Sequence, residues 1–347
     1  MYICHIDKQK SMETKDVALV LSSGGPRGFA YIGAIEELES RDYNITSVAG
    51  CSIGSLIGGV YAAGGLQDFK KWLFKLNNSR LMSLLDVSLS KSYLVKGDKV
   101  MKAIKEVVPD VNIEDLRIPY CAVATDLYTG EEVVFREGKL FDAIRASISI
   151  PSLFRPVRYG RHKLIDGGAV NTAPFSIVHR NGHDILVSFD VNRLDSKKIA
   201  ENLELLEKAR NDEEEARFSL TGLVEQLKKS KTDSLLDFVR IAGDETRKAL
   251  ETSREISDKY RSLADDAEKQ KMPFTEDDNY YSILSRTFSL MLRTISGLQI
   301  QMYKPDILVT MSFDAYGEIA DYARGGEISE IGRRLMSEAL DKYEKQD

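Results

Sequence analysis

Apolar residues along this chain fall into short unbroken runs and longer helical repeats, and their alternation predicts the architecture. Val17-Ala18-Leu19-Val20-Leu21 contains no polar position, the pattern of a strand buried on both faces. It runs into Ser22-Ser23-Gly24-Gly25-Pro26-Arg27-Gly28, where Pro26 suits a first helical turn because its missing N–H would be unpaired there anyway. Ala30, Ile32, Ala34, Ile35 and Leu38 then recur as one buried helical face. The same strand, glycine loop and helix return over residues 46–59, through Gly50-Cys51-Ser52-Ile53-Gly54. Two such units in succession place their loops side by side at one edge of a parallel sheet.

Further along, Phe69, Trp72, Leu73 and Leu76 read as core at helical spacing, and residues 99–108 read as a short helix ahead of Pro109. Residues 119–126 form a strand that turns at Tyr128-Thr129-Gly130-Glu131 into Val133-Val134-Phe135, a hairpin. A helix over 140–147, a loop with Pro151 and Pro156, and a strand ending at Asp166-Gly167-Gly168 follow. Residues 195–304 read as several helices, punctuated by Met272-Pro273, before a closing strand at 307–311 and a final helix at 327–343. The expected organisation is a core from 1–194 and 305–347 interrupted by a helical insertion at 195–304. That insertion is expected to form a bundle on the core or a dimer contact, with a membrane-docking lid over an acyl channel as the competing reading.

Composition narrows the function. With 347 residues, 43% of them hydrophobic, the chain can bury a large core. The first fifteen residues are charged and lack an apolar signal region, and the apolar stretch 280–302 is broken by Arg286 and Arg293. A soluble, cytoplasmic protein is therefore expected. Three cysteines match neither a disulfide framework nor a zinc site, and no cofactor is expected. Residues 195–278 hold 16 Lys and Arg against 22 Asp and Glu, which accounts for the whole net charge of −6. Such a segment disfavours nucleic acid and strong attraction to anionic headgroups, so any peripheral membrane contact would need apolar anchors.

Ser52 is the candidate nucleophile. A serine at the tip of a sharp strand-to-helix turn needs neighbours without Cβ atoms, which Gly50 and Gly54 supply. The first glycine loop presents backbone N–H groups at a helix start, suited to a phosphate or to an oxyanion. It lacks the lysine of a mononucleotide loop, and Ser23 stands where a dinucleotide fingerprint has its first glycine, so nucleotide binding is the weaker reading. Gly24 and Gly25 become the candidate donors beside Ser52. Of the four histidines, His5, His162, His179 and His183, none is placed as a base, which leaves Asp166, a carboxylate at a strand end, or an ordinary turn there. Cys51 is read as packing.

Gly24-Gly25-Pro26-Arg27-Gly28, Gly50-Cys51-Ser52-Ile53-Gly54 and Asp166-Gly167-Gly168, in this order, resemble the three motifs of the patatin-like phospholipases. The words 124–131, 143–147, 150–157 and 166–174 sit where that family has similar ones, and the likeness covers about residues 15–192. The resemblance implies a three-layer α/β/α sandwich with a mainly parallel sheet. It also implies a Ser52–Asp166 dyad that hydrolyses lipid esters, an oxyanion loop of Gly24, Gly25, Arg27 and Gly28, and supporting glycines at 50, 54, 167 and 168. The chain departs from the pattern at Ser23, where the family commonly has glycine. The alternatives are a catalytically silent scaffold that binds a protein partner through the insertion, and acyl transfer between carriers, which would call for a histidine near the elbow.

Overall fold

A computed structural model describes residues 15–87, 93–193, 204, 280–313, 315–317 and 319–345. Expectations for residues 195–278, other than 204, therefore lie outside the described residues. Strand β1 (Lys15–Leu21) leads through a 3-10 turn (Gly25–Phe29) into helix α1 (Ala30–Ser40), and β2 (Tyr43–Cys51) leads directly into α2 (Ile53–Ala62). Next come α3 (Leu66–Leu73), α4 (Asn78–Leu84), β3 (Tyr93–Val95) and α5 (Asp98–Lys105). The hairpin is β4 (Tyr120–Asp126) and β5 (Glu132–Phe135), followed by α6 (Leu140–Ser147). Three short strands, β6 (Ser152–Phe154), β7 (Val157–Tyr159) and β8 (His162–Asp166), precede β9 (Ile185–Arg193). Helix α7 (Tyr280–Tyr303), β10 (Ile307–Ser312), a 3-10 turn (Ile319–Arg324) and α8 (Gly325–Glu344) complete the described chain.

The main sheet runs β10-β9-β1-β2-β4-β8-β7, with β5 also paired to β4. Its first five strands are parallel neighbours, while β8, β7 and β5 join antiparallel. Strand β1 shows why its sequence is apolar throughout. Val17, Leu19 and Leu21 enter the core beneath α1, α2 and α8, and Ala18 and Val20 enter a second core with Phe175, Ile177 and Ile300 of α7. Helices on one face and α7 with residues 173–178 on the other make the α/β/α layering. Helices α1 and α8 lie backbone to backbone: a Cβ on Gly33 would run into the Ser329 carbonyl, and one on Gly332 into that of Ala30.

Helix α7, grouped on sequence with the insertion, clusters with the sheet. Gln299 accepts from the Ala173 N–H at 2.9 Å and donates to Asn171 at 2.6 Å, while Ser296 reaches Asp190. A small parallel pair, β3 with β6, stands apart from the main sheet. It is held by Arg145, whose guanidinium donates to Ser149 Oγ, Lys96 O and Arg155 O. No described helix is long and apolar enough to cross a membrane.

Candidate functional site

The parallel pairing of β1 with β2 puts their two C-terminal loops next to each other, in the register Leu21 opposite Gly50. Ser52 follows β2 with φ +53° and ψ −121°, a conformation that side-chain-bearing residues rarely adopt. The strain persists because α2 is pressed onto the strands. A Cβ on Gly50 would overlap the Gly54 carbonyl, and one on Gly54 would overlap the Leu21 carbonyl, so neither position admits a side chain. The Ser52 N–H donates to Ser147 Oγ at 2.9 Å, tying the elbow to the end of α6.

Asp166 ends β8, and its pairing with Ala124 carries it across β4 toward the elbow. The carboxyl is fully buried, and burial raises its pKa to about 6. Three donors oppose that shift: the Ser52 hydroxyl, the Gly168 N–H and the Cys51 thiol. The last two share one oxygen, with Gly168 N–H at 2.8 Å and Cys51 Sγ at 3.9 Å from Oδ1. Oδ2 is buried with no bond of ordinary geometry. The Ser52 hydroxyl is thus close enough to hold the carboxyl's pKa down, yet makes no aligned bond to Oδ2.

In the first loop, Gly25 holds φ +58° and Gly24 is extended, while Ser23 is not among the residues of positive φ, so serine there carries no steric cost. The Ser23 N–H donates to Thr172 O. Its carbonyl accepts from Asn192 Nδ2 at 2.7 Å, and its hydroxyl reaches Cys51. The N–H groups of Gly24 and Gly25 find no acceptor among the described residues. Arg27, expected within the oxyanion group, turns its guanidinium away, donating to Val191 O, Phe313 O and Tyr316 O and locking the loop to the ends of β9 and β10. Gly28 is a packing glycine against Ile53. Gly167 lies against the Val123 carbonyl, and Gly168 lies under Leu292 of α7.

Ser52 and Gly25 both line a pocket whose empty space, open mouth included, is about 880 Å³. Its walls are apolar side chains from α3, α4, α5 and the β3–β6 pair, among them Phe69, Trp72, Leu81, Ile104 and Phe154. Among the described residues none from α7 lines it; Leu292 of α7 packs against Gly168 instead. Two neighbours of the site were not legible as such. Tyr322 lines the pocket with its hydroxyl about Gly25, and burial pushes it up to about 12, so it stays protonated. Cys51, read as packing, is buried but also touches the Asp166 carboxyl.

The histidines stand elsewhere. His162 bonds Asp126 through Nδ1 at 2.7 Å, His179 and His183 are exposed, and His5 lies outside the described residues. No cluster of three or more His, Cys, Asp or Glu side chains suited to a metal occurs among the described residues.

Residues 19–179 match the family model described as patatin-like phospholipase. Over 339 residues the chain is 30% identical to an uncharacterized NTE family protein of Mycobacterium tuberculosis, covering 95% of this chain and 93% of that protein. It is 32% identical over 191 residues to human patatin-like phospholipase domain-containing protein 6, covering 53% of this chain and 14% of that one. It is 30% identical over 190 residues to neuropathy target esterase sws of Drosophila melanogaster, covering 53% and 13%. With three glycine-bearing motifs set on one sheet edge and similarity running along nearly the whole chain, this protein belongs to the patatin-like phospholipase family, a family of lipid hydrolases.

Proposed function

We propose that this chain is a serine acyl hydrolase that cleaves carboxylic esters of lipids, with Ser52 as nucleophile and Asp166 as its base. The observation that carries the reading is the buried, unpartnered Oδ2 of Asp166 beside a strained serine at an apolar pocket. Because Gly168 and Cys51 occupy Oδ1, Oδ2 is the oxygen free to take a proton. Ser52 Oγ attacks the ester carbonyl carbon as its proton passes to Oδ2. The carbonyl oxygen becomes an oxyanion that faces the unpaired N–H groups of Gly24 and Gly25 and the start of α2. Collapse breaks the bond to the alkoxide, which recovers the proton from Asp166. Water then adds to the acyl-serine, giving its proton to Asp166; collapse breaks the bond between the acyl carbon and Ser52 Oγ, Oγ recovers that proton from Asp166, and the fatty acid leaves.

The pocket supports a long acyl group as the substrate's apolar part, since beyond Ser52 and Tyr322 its walls are apolar side chains. A carboxylate that titrates near 6 is a better base at neutral pH than an unperturbed one near 3.9, and an alkoxide is expelled from the tetrahedral intermediate more readily than an amine. Ester hydrolysis therefore exceeds amide hydrolysis on matched substrates. A fluorophosphonate ester labels only an activated serine. Covalent labelling at Ser52, abolished in Ser52→Ala, is the expected result. Label elsewhere, or none on folded protein, would return the chain to the scaffold reading.

A further inference from the structure

The outer wall of the pocket carries a charge opposite to that of the chain. From the first residue of α3 to the last of α5, residues 66–105 hold nine Lys and Arg and three Asp, within a protein of net charge −6. Lys75, Arg80, Lys96, Lys99 and Lys102 are exposed, and among the described residues none of them has an ion-pair partner. Between them stand Phe74, Met82, Val87 and Leu94, exposed by 45%, 60%, 68% and 38%.

These side chains lie on the elements that build the pocket. Trp72 and Leu73 line it where Phe74 and Lys75 do not, Leu81 and Leu84 line it beside Met82, Val95 beside Leu94, and Val100 beside Lys99 and Lys102. A scattered exposed apolar residue needs no explanation. Four of them with five unpaired cations, on one wall of a pocket shaped for an acyl chain, have the composition of a surface that lies in a lipid interface. The acid surplus lies in residues 195–278, so the net charge of the whole chain averages over this wall.

We propose that this wall, built from α3, α4, β3 and α5, docks on an anionic lipid surface. The cations are drawn to the headgroups and the exposed apolar side chains enter the boundary. The proposal rests on the hydrolase reading only for what the pocket receives, namely an acyl chain passing from the bilayer. Docking itself needs no turnover.

The test is co-sedimentation of the full chain carrying Ser52→Ala with phosphatidylcholine vesicles, with and without phosphatidylserine. The expected result is binding at least about tenfold tighter to the anionic vesicles, lost as salt rises from about 0.1 M to about 1 M and the Debye length shortens to about 3 Å. The triple variant Lys75→Gln, Arg80→Gln, Lys96→Gln falls to the neutral-vesicle level, and Met82→Asp with Leu94→Asp falls likewise. In the Ser52 background both variants keep the wild-type rate on a soluble short-chain ester. Equal binding to both vesicles, or undiminished binding by the triple variant, overturns the proposal. A dimer that Leu94→Asp dissociates, without vesicle binding, would also overturn it by giving the surface to a second copy. Vesicle binding with no ester turnover by the wild type would sink the hydrolase reading and leave docking intact.

Discussion

Asn192 donates its side-chain amide to the carbonyl of Ser23 at 2.7 Å. Because the peptide unit is planar and trans, fixing that oxygen also fixes the Gly24 N–H, which must point the opposite way. Asn192 is itself anchored, its Nδ2 and N–H both lying 3.1 Å from Asp190 Oδ1. The residue that aims the N–H proposed as one oxyanion donor thus stands on β9, well over a hundred residues further along the chain than the loop it holds.

Asn192→Ala is therefore expected to lower kcat by roughly 10- to 100-fold with little change in KM, a fraction of the 10²–10³ typical of losing a donor outright. Fluorophosphonate labelling slows in parallel. A variant that loses stability alone, with kcat per folded molecule unchanged, would show that the amide merely fills space.

The pH dependence follows from Asp166. The base must be ionised, so kcat/KM rises through about pH 6 and is flat above it. Stability runs the other way. The folded carboxyl titrates near 6 and the unfolded one near 3.8, so between these values the native state holds the extra proton. Stability is fully present below about pH 4 and is lost as pH rises to 6, by about 3 kcal/mol. Asp166→Asn, expected to abolish activity under the proposed mechanism, should then raise Tm by several degrees at pH 8 and leave it nearly unchanged at pH 4. Thermal melts at the two pH values check the sign.

Cys51 lowers the Asp166 pKa through its contact with Oδ1. Cys51→Ala removes that donor and is expected to shift the acid limb of kcat/KM upward by a fraction of a unit. Cys51→Ser, a stronger donor, should shift it down. A pH profile that moves in neither variant would reduce the thiol to a filler of the core.

Gly54→Ala places a methyl group against the Leu21 carbonyl of the neighbouring strand, where backbone rather than a flexible side chain would have to move. A loss of more than about 3 kcal/mol, or failure to fold, is expected by chemical denaturation. Gly130→Ala is the comparison: its φ of +72° is strained but nothing lies within 4 Å, so the cost stays near 1 kcal/mol.

What sequence discloses here is what backbone geometry demands locally. Gly50, Gly54, Gly167 and the Gly24-Gly25 loop are forced by close approach or torsion at fixed offsets, so the elbow, the loop and the Asp-Gly-Gly turn can be read in order. The strands β1, β2 and β4 show themselves because both faces are buried. Strand β9 hides because Ser188, Asp190 and Asn192 alternate with its apolar residues, and all three are buried, the latter two against Ser22, Ser23 and Ser296 from distant segments. The β3–β6 pair hides because it joins three-residue strands some sixty positions apart. Tyr322, Asn192 and the wall of cations acquire meaning only once the chain has folded.

The contact of Gly33 with Ser329 and of Gly332 with Ala30 ties two helices far apart in the chain to one glycine loop. Helix α1 continues directly from that loop, and the surface its backbone leans on is made of residues beyond 324. A side chain added at either glycine would wedge the helices apart and carry the loop with them.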